Sequence, residues 1–211
     1  MKRLQIVILG VFFLLAAGWS LCAAESEHLS IISTSPDGKF IVCRQQATSG
    51  DLGEARKTLS ICSSDGKSLY EWISGIGTTS TLWSPDGRFV AINDMPGEKG
   101  DLLRLFALDS TTPAVIPLRD PDGKKLRREV ESRHGSFLSR IDAVTLRASE
   151  WKEGKLWCQV SGTFSPKRQT SVHVPFHHLW VLKTEGKNPP VIEQEWTLTD
   201  PKERAYRDEN R

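Results

Sequence analysis

The sequence predicts a mainly β protein: a propeller-like array of antiparallel four-stranded units, three of them recognisable, with one short inserted helix. Three observations predict it. The turn Ser-Pro-Asp-Gly occurs twice, as Ser35-Pro36-Asp37-Gly38 and Ser84-Pro85-Asp86-Gly87, each time between short β-forming runs. Each turn belongs to a group of four strand-like segments within about 45 residues, the spacing of a propeller blade or a β-meander. A tryptophan closes the first segment of two units, as Trp83 and Trp151.

The turn has specific chemistry. Serine is favoured at the first position of a type I turn, proline presets φ at the second, and glycine suits the fourth. Trp83 before the turn and Phe89-Val90-Ala91-Ile92 after it make a hairpin of it. Gly87 is expected at positive φ, as in a hairpin that closes through a bulge.

The first unit, 28–74, opens with His28–Thr34 and Phe40–Arg44 around the first turn. A polar loop, 45–57, leads to Thr58–Ser63, rich in β-formers, and Ser64-Asp65-Gly66-Lys67 then turns the chain into Ser68–Ile73. The second unit, 76–118, repeats the arrangement. Its expected segments are Thr78–Trp83, Phe89–Asn93, Asp101–Asp109 and Ala114–Leu118. Pro117 marks the last of these as short or at an edge, since proline cannot donate to a ladder.

The insert, 119–142, breaks the pattern. Leu126, Val130, Phe137 and Ile141 are spaced for one helical face, with Asp122 as N-cap and Gly135 as stop, so a helix over 124–134 is expected. The third unit, 143–197, is degenerate. Val144–Trp151 ends in tryptophan, Lys152-Glu153-Gly154-Lys155 replaces the turn with one residue fewer, and Leu156–Val160 follows. His177–Thr184 matches the third segment of unit two, and Pro190–Trp196 matches the fourth segment of unit one, down to Glu195-Trp196 against Glu71-Trp72. Residues 200–211 mix both charges and read as a polar tail.

An aromatic before the Ser-Pro-Asp-Gly turn, a strand after it and a closing Leu105-Phe106-Ala107-Leu108-Asp109 segment together resemble the β-propeller repeats of the TolB type. The resemblance is good over 29–118 and weak over 143–197. It implies the fold rather than an activity, because such repeats occur in binding proteins and in domains attached to peptidases. Closed propellers typically have at least about four blades. A fourth blade of unrecognised strands, an open array, and completion by partners all remain open.

The N-terminus carries Lys2-Arg3, an apolar stretch from Leu4 to Ala17 and Cys22-Ala23-Ala24 before the first acid, Glu25. This describes a secretory signal peptide, 1–24, and an exported protein, periplasmic or extracellular if the source is bacterial. An uncleaved anchor is the rival, but the apolar run is shorter than the roughly 20 residues a spanning helix needs. Leu21 before Cys22 argues against a lipid anchor. Of 28 basic residues, two lie in this leader, and the rest match the 26 acidic ones. No bulk charge then draws the chain to nucleic acid.

Candidate chemistry is sparse. His173, His177 and His178 are the weak metal-ligand candidates. On a strand His173 and His177 lie about 13 Å apart and His177 and His178 point to opposite faces, and neither HExxH nor CxxC spacing supports them. No GxSxG elbow is present, and a hydrolase domain after residue 197 has no room. Asp120-Pro121-Asp122-Gly123 with Glu129 and Glu131 lacks the ligand order of a calcium loop. Lys124, Lys125, Arg127 and Arg128, extended by Arg133 and Arg140, form a basic cluster that reads either as a solvated helix face or as a docking surface for an anionic or acidic partner.

Trp83 with Trp151, and Trp72 with Trp196, occupy repeat positions and are expected to pack between sheets, with sugar stacking as the alternative role. Of the cysteines beyond the leader, Cys43 and Cys62 lie on neighbouring strands. A hairpin centred near Leu52-Gly53 sets them opposite each other for a disulfide, whereas the register of unit two sets them on opposite faces as buried thiols.

The expectation is an exported, non-catalytic, propeller-like protein without cofactor that binds a protein or cell-envelope component, with neither nucleic acid nor a membrane span after signal cleavage. One alternative is a small periplasmic hydrolase or metal-dependent enzyme using His173–His178. Another is a structural fragment that assembles with other blades in trans. Function is expected where the template fails, at 119–142 and 165–178.

Overall fold

A computed structural model describes residues 28–46, 57–74, 78–94, 102–119, 123–134, 138–166 and 173–198. Residues 1–24 and 200–211, Asp122, Gly135, Phe137 and Leu52-Gly53, on which sequence expectations fell, lie outside these residues. The described residues form three antiparallel four-stranded sheets, each a meander. Sheet one contains β1 (His28–Thr34), β2 (Phe40–Gln46), β3 (Lys57–Ser63) and β4 (Ser68–Ser74). Sheet two contains β5 (Thr79–Trp83), β6 (Phe89–Asp94), β7 (Leu102–Asp109) and β8 (Ala114–Arg119). After α1 (Gly123–His134), sheet three contains β9 (Leu138–Lys152), β10 (Lys155–Pro166), β11 (Val174–Lys183) and β12 (Val191–Thr197).

The two Ser-Pro-Asp-Gly turns have one geometry. In the second, the Ser84 N–H donates to the Phe89 carbonyl at 2.9 Å, and the Gly87 N–H donates to the Ser84 carbonyl at 2.9 Å. The Ser84 Oγ accepts from the Phe89 N–H at 2.9 Å and donates to Asp86 at 2.7 Å. Ser35, Asp37, Gly38 and Phe40 repeat each of these bonds. Gly38 and Gly87 take φ of 71° and 70°, the left-handed region expected for the closing glycine. The hydroxyl thus satisfies a backbone donor that the turn leaves without a ladder partner. In sheet three the shorter turn puts both Glu153 (φ 52°) and Gly154 (φ 72°) in the left-handed region, the signature of a two-residue type I′ hairpin.

Sheet two lies between the other two. Val90, Ile92, Phe106 and Leu108 pack with Phe40, Val42, Leu59, Ile61 and Trp72 of sheet one. The alternate residues Phe89, Ala91, Leu103 and Leu105 pack with Val144, Leu146, Leu156 and Cys158 of sheet three. With an apolar layer on each side, β6 is buried at every position, so its run Phe89–Ile92 lacks the alternation of a half-exposed strand.

The insert is smaller than the sequence suggested. β8 reaches Arg119 and β9 starts at Leu138, ahead of the expected 143, while α1 matches the predicted helix to within one residue. The 165–178 segment also shrinks, because β10 runs on to Pro166 and β11 begins at Val174. Short apolar cores at 144–151 and 156–160 concealed these extensions. Leu126 and Val130 anchor α1 in the same core as Ile141, Phe164, Val174 and Phe176 of the lengthened strands. Gly162 belongs to this region: a Cβ there would lie 2.2 Å from the Ala143 carbonyl oxygen and 2.6 Å from the Phe176 ring.

Candidate binding surface

Neighbouring residues of β6 clamp sheet two to both neighbours. The Asn93 side chain accepts from the Ala148 N–H at 2.7 Å and donates to the Ala148 carbonyl at 2.9 Å, gripping the first strand of sheet three. Asp94, pointing the other way, accepts from the Trp72 indole at 3.2 Å and the Ser74 hydroxyl at 2.5 Å. It also pairs with Arg104 at 3.2 Å, whose guanidinium lies 5.2 Å from the Trp72 ring centre. These buried polar groups are matched partner to partner, as burial requires. A cleft of about 390 Å³ beside Asn93 is lined by Ser80, Thr81, Arg147, Ser149 and Gln159.

The forward face of each sheet, the face directed toward the next sheet in the chain, repeats a pattern. Strand registers align Val42 and Ile61 of sheet one with Ala91 and Leu105 of sheet two and Trp157 and Val181 of sheet three. One step along, Arg44, Leu59 and Trp72 correspond to Gln159, Leu179 and Trp196. Sheet three therefore carries the apolar forward face of a sheet that supports another, yet among the described residues no sheet packs on it. Trp72 is 8% exposed, whereas Trp196, at the matching position, is 41% exposed. Trp196 instead stacks on Trp157 across β11, with centroids 5.5 Å apart and planes at 17°, and Lys152 lies 5.4 Å from the Trp157 ring.

The backward face of sheet one is the other end of the stack. Ile31 (63%) and Ile73 (65%) are exposed there. The expectation that Trp72 and Trp196 both pack between sheets is thus corrected: their positions match, but among the described residues only Trp72 meets a neighbouring sheet. Trp83 and Trp151 do pack between sheets, donating their indole N–H groups to Ser33 Oγ and the Leu82 carbonyl, each at 3.0 Å.

The remaining candidates are spread over the molecule. His177 is exposed and His178 buried on opposite faces of β11, while His173 precedes that strand, 3.5 Å from the Ser165 hydroxyl. Among the described residues no three metal-ligating side chains come together. Lys125, Arg127 and Arg128 lie on α1 with Lys125 and Arg128 exposed, and Lys124 is in the first turn of the same helix. Glu129 turns from that cluster to pair with Arg119 at 2.8 Å, and Arg133 reaches Glu195 at 3.1 Å.

Of the two arrangements the sequence leaves open for Cys43 and Cys62, a bridge or a pair of buried thiols, the structure has both cysteines free and buried. The register pairs Cys43 with Ser60 and Cys62 with Ile41, so the two thiols share a face but lie diagonally rather than opposite. A diagonal pair has Cβ atoms farther apart than a disulfide spans. Burial, then the neighbouring Cys62, raises the Cys43 thiol to about 11. Burial also pushes the Cys158 thiol up. Cys158 belongs to the core between sheets two and three, whereas Cys43 and Cys62 lie on the backward face of sheet one. The site residues that sequence reasoning passed over are Leu179 and Val181, which an alignment of unit three onto Leu59 and Ile61 of unit one brings out.

Among the described residues no helix is long and apolar enough to cross a membrane. Compared with protein-family models, curated proteins and solved structures, the chain matches none.

Proposed function

We propose that this chain is an exported, non-catalytic binding protein built from TolB-like repeats, which engages a protein or cell-envelope component through the uncovered end faces of its sheet stack. One observation carries the reading. The middle sheet is covered on both faces, while Trp196, Ile31 and Ile73 stand exposed on the outward faces of the end sheets. Exposed apolar and aromatic groups on a sheet face mark interaction sites, and tryptophan is enriched where interfaces draw their energy. The leader-like N-terminus supports export.

The test is capture of partners from an envelope extract on the immobilised mature chain, with mass-spectrometric identification. A specific partner held by the native chain and released by Trp196→Asp or Ile73→Asp is expected. Retention of nothing above background, or equal retention by all three proteins, overturns the reading.

A further inference from the structure

We infer that the partner of the two end faces is a second copy of this chain, the forward face of sheet three docking on the backward face of sheet one in each direction to close a ring of six sheets. The inference rests on the binding reading above and names the partner for the same surfaces.

The chain already makes this contact twice, sheet one on sheet two and sheet two on sheet three. Its two end faces, on which Trp196, Ile31 and Ile73 are exposed while Val181, Ser60 and Cys62 are already buried, are the two halves of a third such contact. The forward half is present in sheet three as Leu179, Val181 and Trp196, matching Leu59, Ile61 and Trp72 of the forward face that sheet two covers. Gln159 stands where Asn93 grips the first strand of the next sheet. By the same register that strand position in sheet one is Ile31, exposed and opposite Cys43.

Side-chain volumes are complementary. The backward face of sheet one places Ser60 and Cys62 where sheet two has Arg104 and Phe106 and sheet three has Trp180 and Leu182. The forward face of sheet three places Trp157 where the others have Val42 and Ala91. A larger forward face thus meets a smaller backward one, which keeps the packed volume between sheets.

Geometry sets the stoichiometry. A contact between unlike faces is heterologous, and it generates a ring if the rotation closes. Propellers typically close with about four to eight blades. With the three sheets found among the described residues, two copies fall in that range and three do not.

The experiment is analytical ultracentrifugation of the mature chain over a wide concentration range, with Trp196→Asp as the forward-face variant and Ile73→Asp as the backward-face variant. Both positions are exposed, and circular dichroism verifies that each variant folds. The native chain should sediment as a dimer. Each variant should weaken the dimer at least about tenfold, as loss of an interface anchor does. An equimolar mixture should dimerise where neither variant does alone, because the mixed pair retains one intact contact. That complementation is specific to unlike faces.

A native chain that stays monomeric, a dimer indifferent to one of the two substitutions, or a mixture no better than its components overturns the inference. If the native chain is monomeric but both variants lose an envelope partner, the binding reading stands without self-association. If they lose nothing, both fail.

Discussion

Sheets two and three hold the same template in different surroundings. On the second strand, the forward positions of sheet two are Phe89, Ala91 and Asn93, and the matching positions of sheet three are Lys155, Trp157 and Gln159. Sheet two faces another sheet there, so an aromatic ring, a small residue and a buried amide fill the gap. Sheet three faces outward, and Lys155 pairs with Glu193 at 2.5 Å instead. Leu179 and Val181 on the next strand nevertheless keep the apolar character of Leu103 and Leu105. The difference teaches that a position within a blade sets which way a side chain points, while the neighbour beyond decides what it must be. The polar substitutions at the rim of sheet three suit intermittent solvent contact, and the retained centre suits a covering surface.

The sharpest way to break this comparison is to damage the clamps of sheet two. Asp94→Ala leaves Arg104 and the Trp72 indole facing a hole between sheets. Removing one partner of a buried pair costs about 3–5 kcal/mol, so the urea midpoint should fall steeply. An m-value unchanged from the native protein would show that the compactness of the end states is preserved. A midpoint within error of the native one would refute the clamp.

Asn93→Ala is the next largest, at about 2–3 kcal/mol, since it strands a buried N–H and a carbonyl of Ala148. Gln159→Ala, its counterpart in sheet three, should change stability by no more than about 0.5 kcal/mol in dilute protein. Equal effects at the two positions would erase the distinction between a covered and an uncovered forward face.

The turns offer a finer comparison. Gly38→Val and Gly87→Val each force a β-branched residue into a left-handed backbone, at a cost of about 1–3 kcal/mol. A Cβ at Gly38 meets nothing within 4 Å, whereas one at Gly87 meets the Asp37 carboxyl carbon at 3.4 Å. Gly87→Val should therefore lower the melting temperature more than Gly38→Val. An unchanged melting temperature for both would mean that the turn does not need its glycine.

Much of this architecture was legible in local chemistry. Ser-Pro-Asp-Gly states its own backbone angles, and Leu126 with Val130 states a helical face, so the turns and α1 follow from short windows. The long β9 and β10 did not, because Arg140, Asp142, Ser161 and Thr163 are polar residues whose strand pairing depends on partners elsewhere in the chain. Register failed for a similar reason. One residue of shift at the β2–β3 pair decides whether Cys43 and Cys62 share a face, and the intervening loop carries no turn signal strong enough to choose. The end faces were legible only in part: Trp196 matched Trp72 in sequence, but exposure depends on whether a further sheet exists.

The smallest expected effect separates two connections at the same point of the template. Between β7 and β8, Asp109 accepts from the Thr111 hydroxyl and the Thr111 and Thr112 N–H groups, at 2.6, 3.0 and 3.3 Å. The Thr111 hydroxyl, then these backbone donors, hold its carboxyl down at about 2. Between β11 and β12 the chain instead offers Glu185, in a surface ion pair with Lys183 at 2.6 Å. A carboxyl whose folded value is depressed adds stability above its unfolded value, near 3.8 here, and loses it as pH falls toward about 2. Asp109→Asn should therefore be less stable than the native chain at neutral pH, and the gap should narrow as pH drops through that window. Asp37, Asp65 and Asp86 keep lowered values of their own, so both proteins still weaken in acid. The informative quantity is the difference between them. Glu185→Gln should show a smaller difference that shrinks with added salt, as exposed pairs do. A native-minus-Asp109→Asn difference as large at pH 2 as at pH 7 would show that the turn does not hold this carboxylate in its charged form.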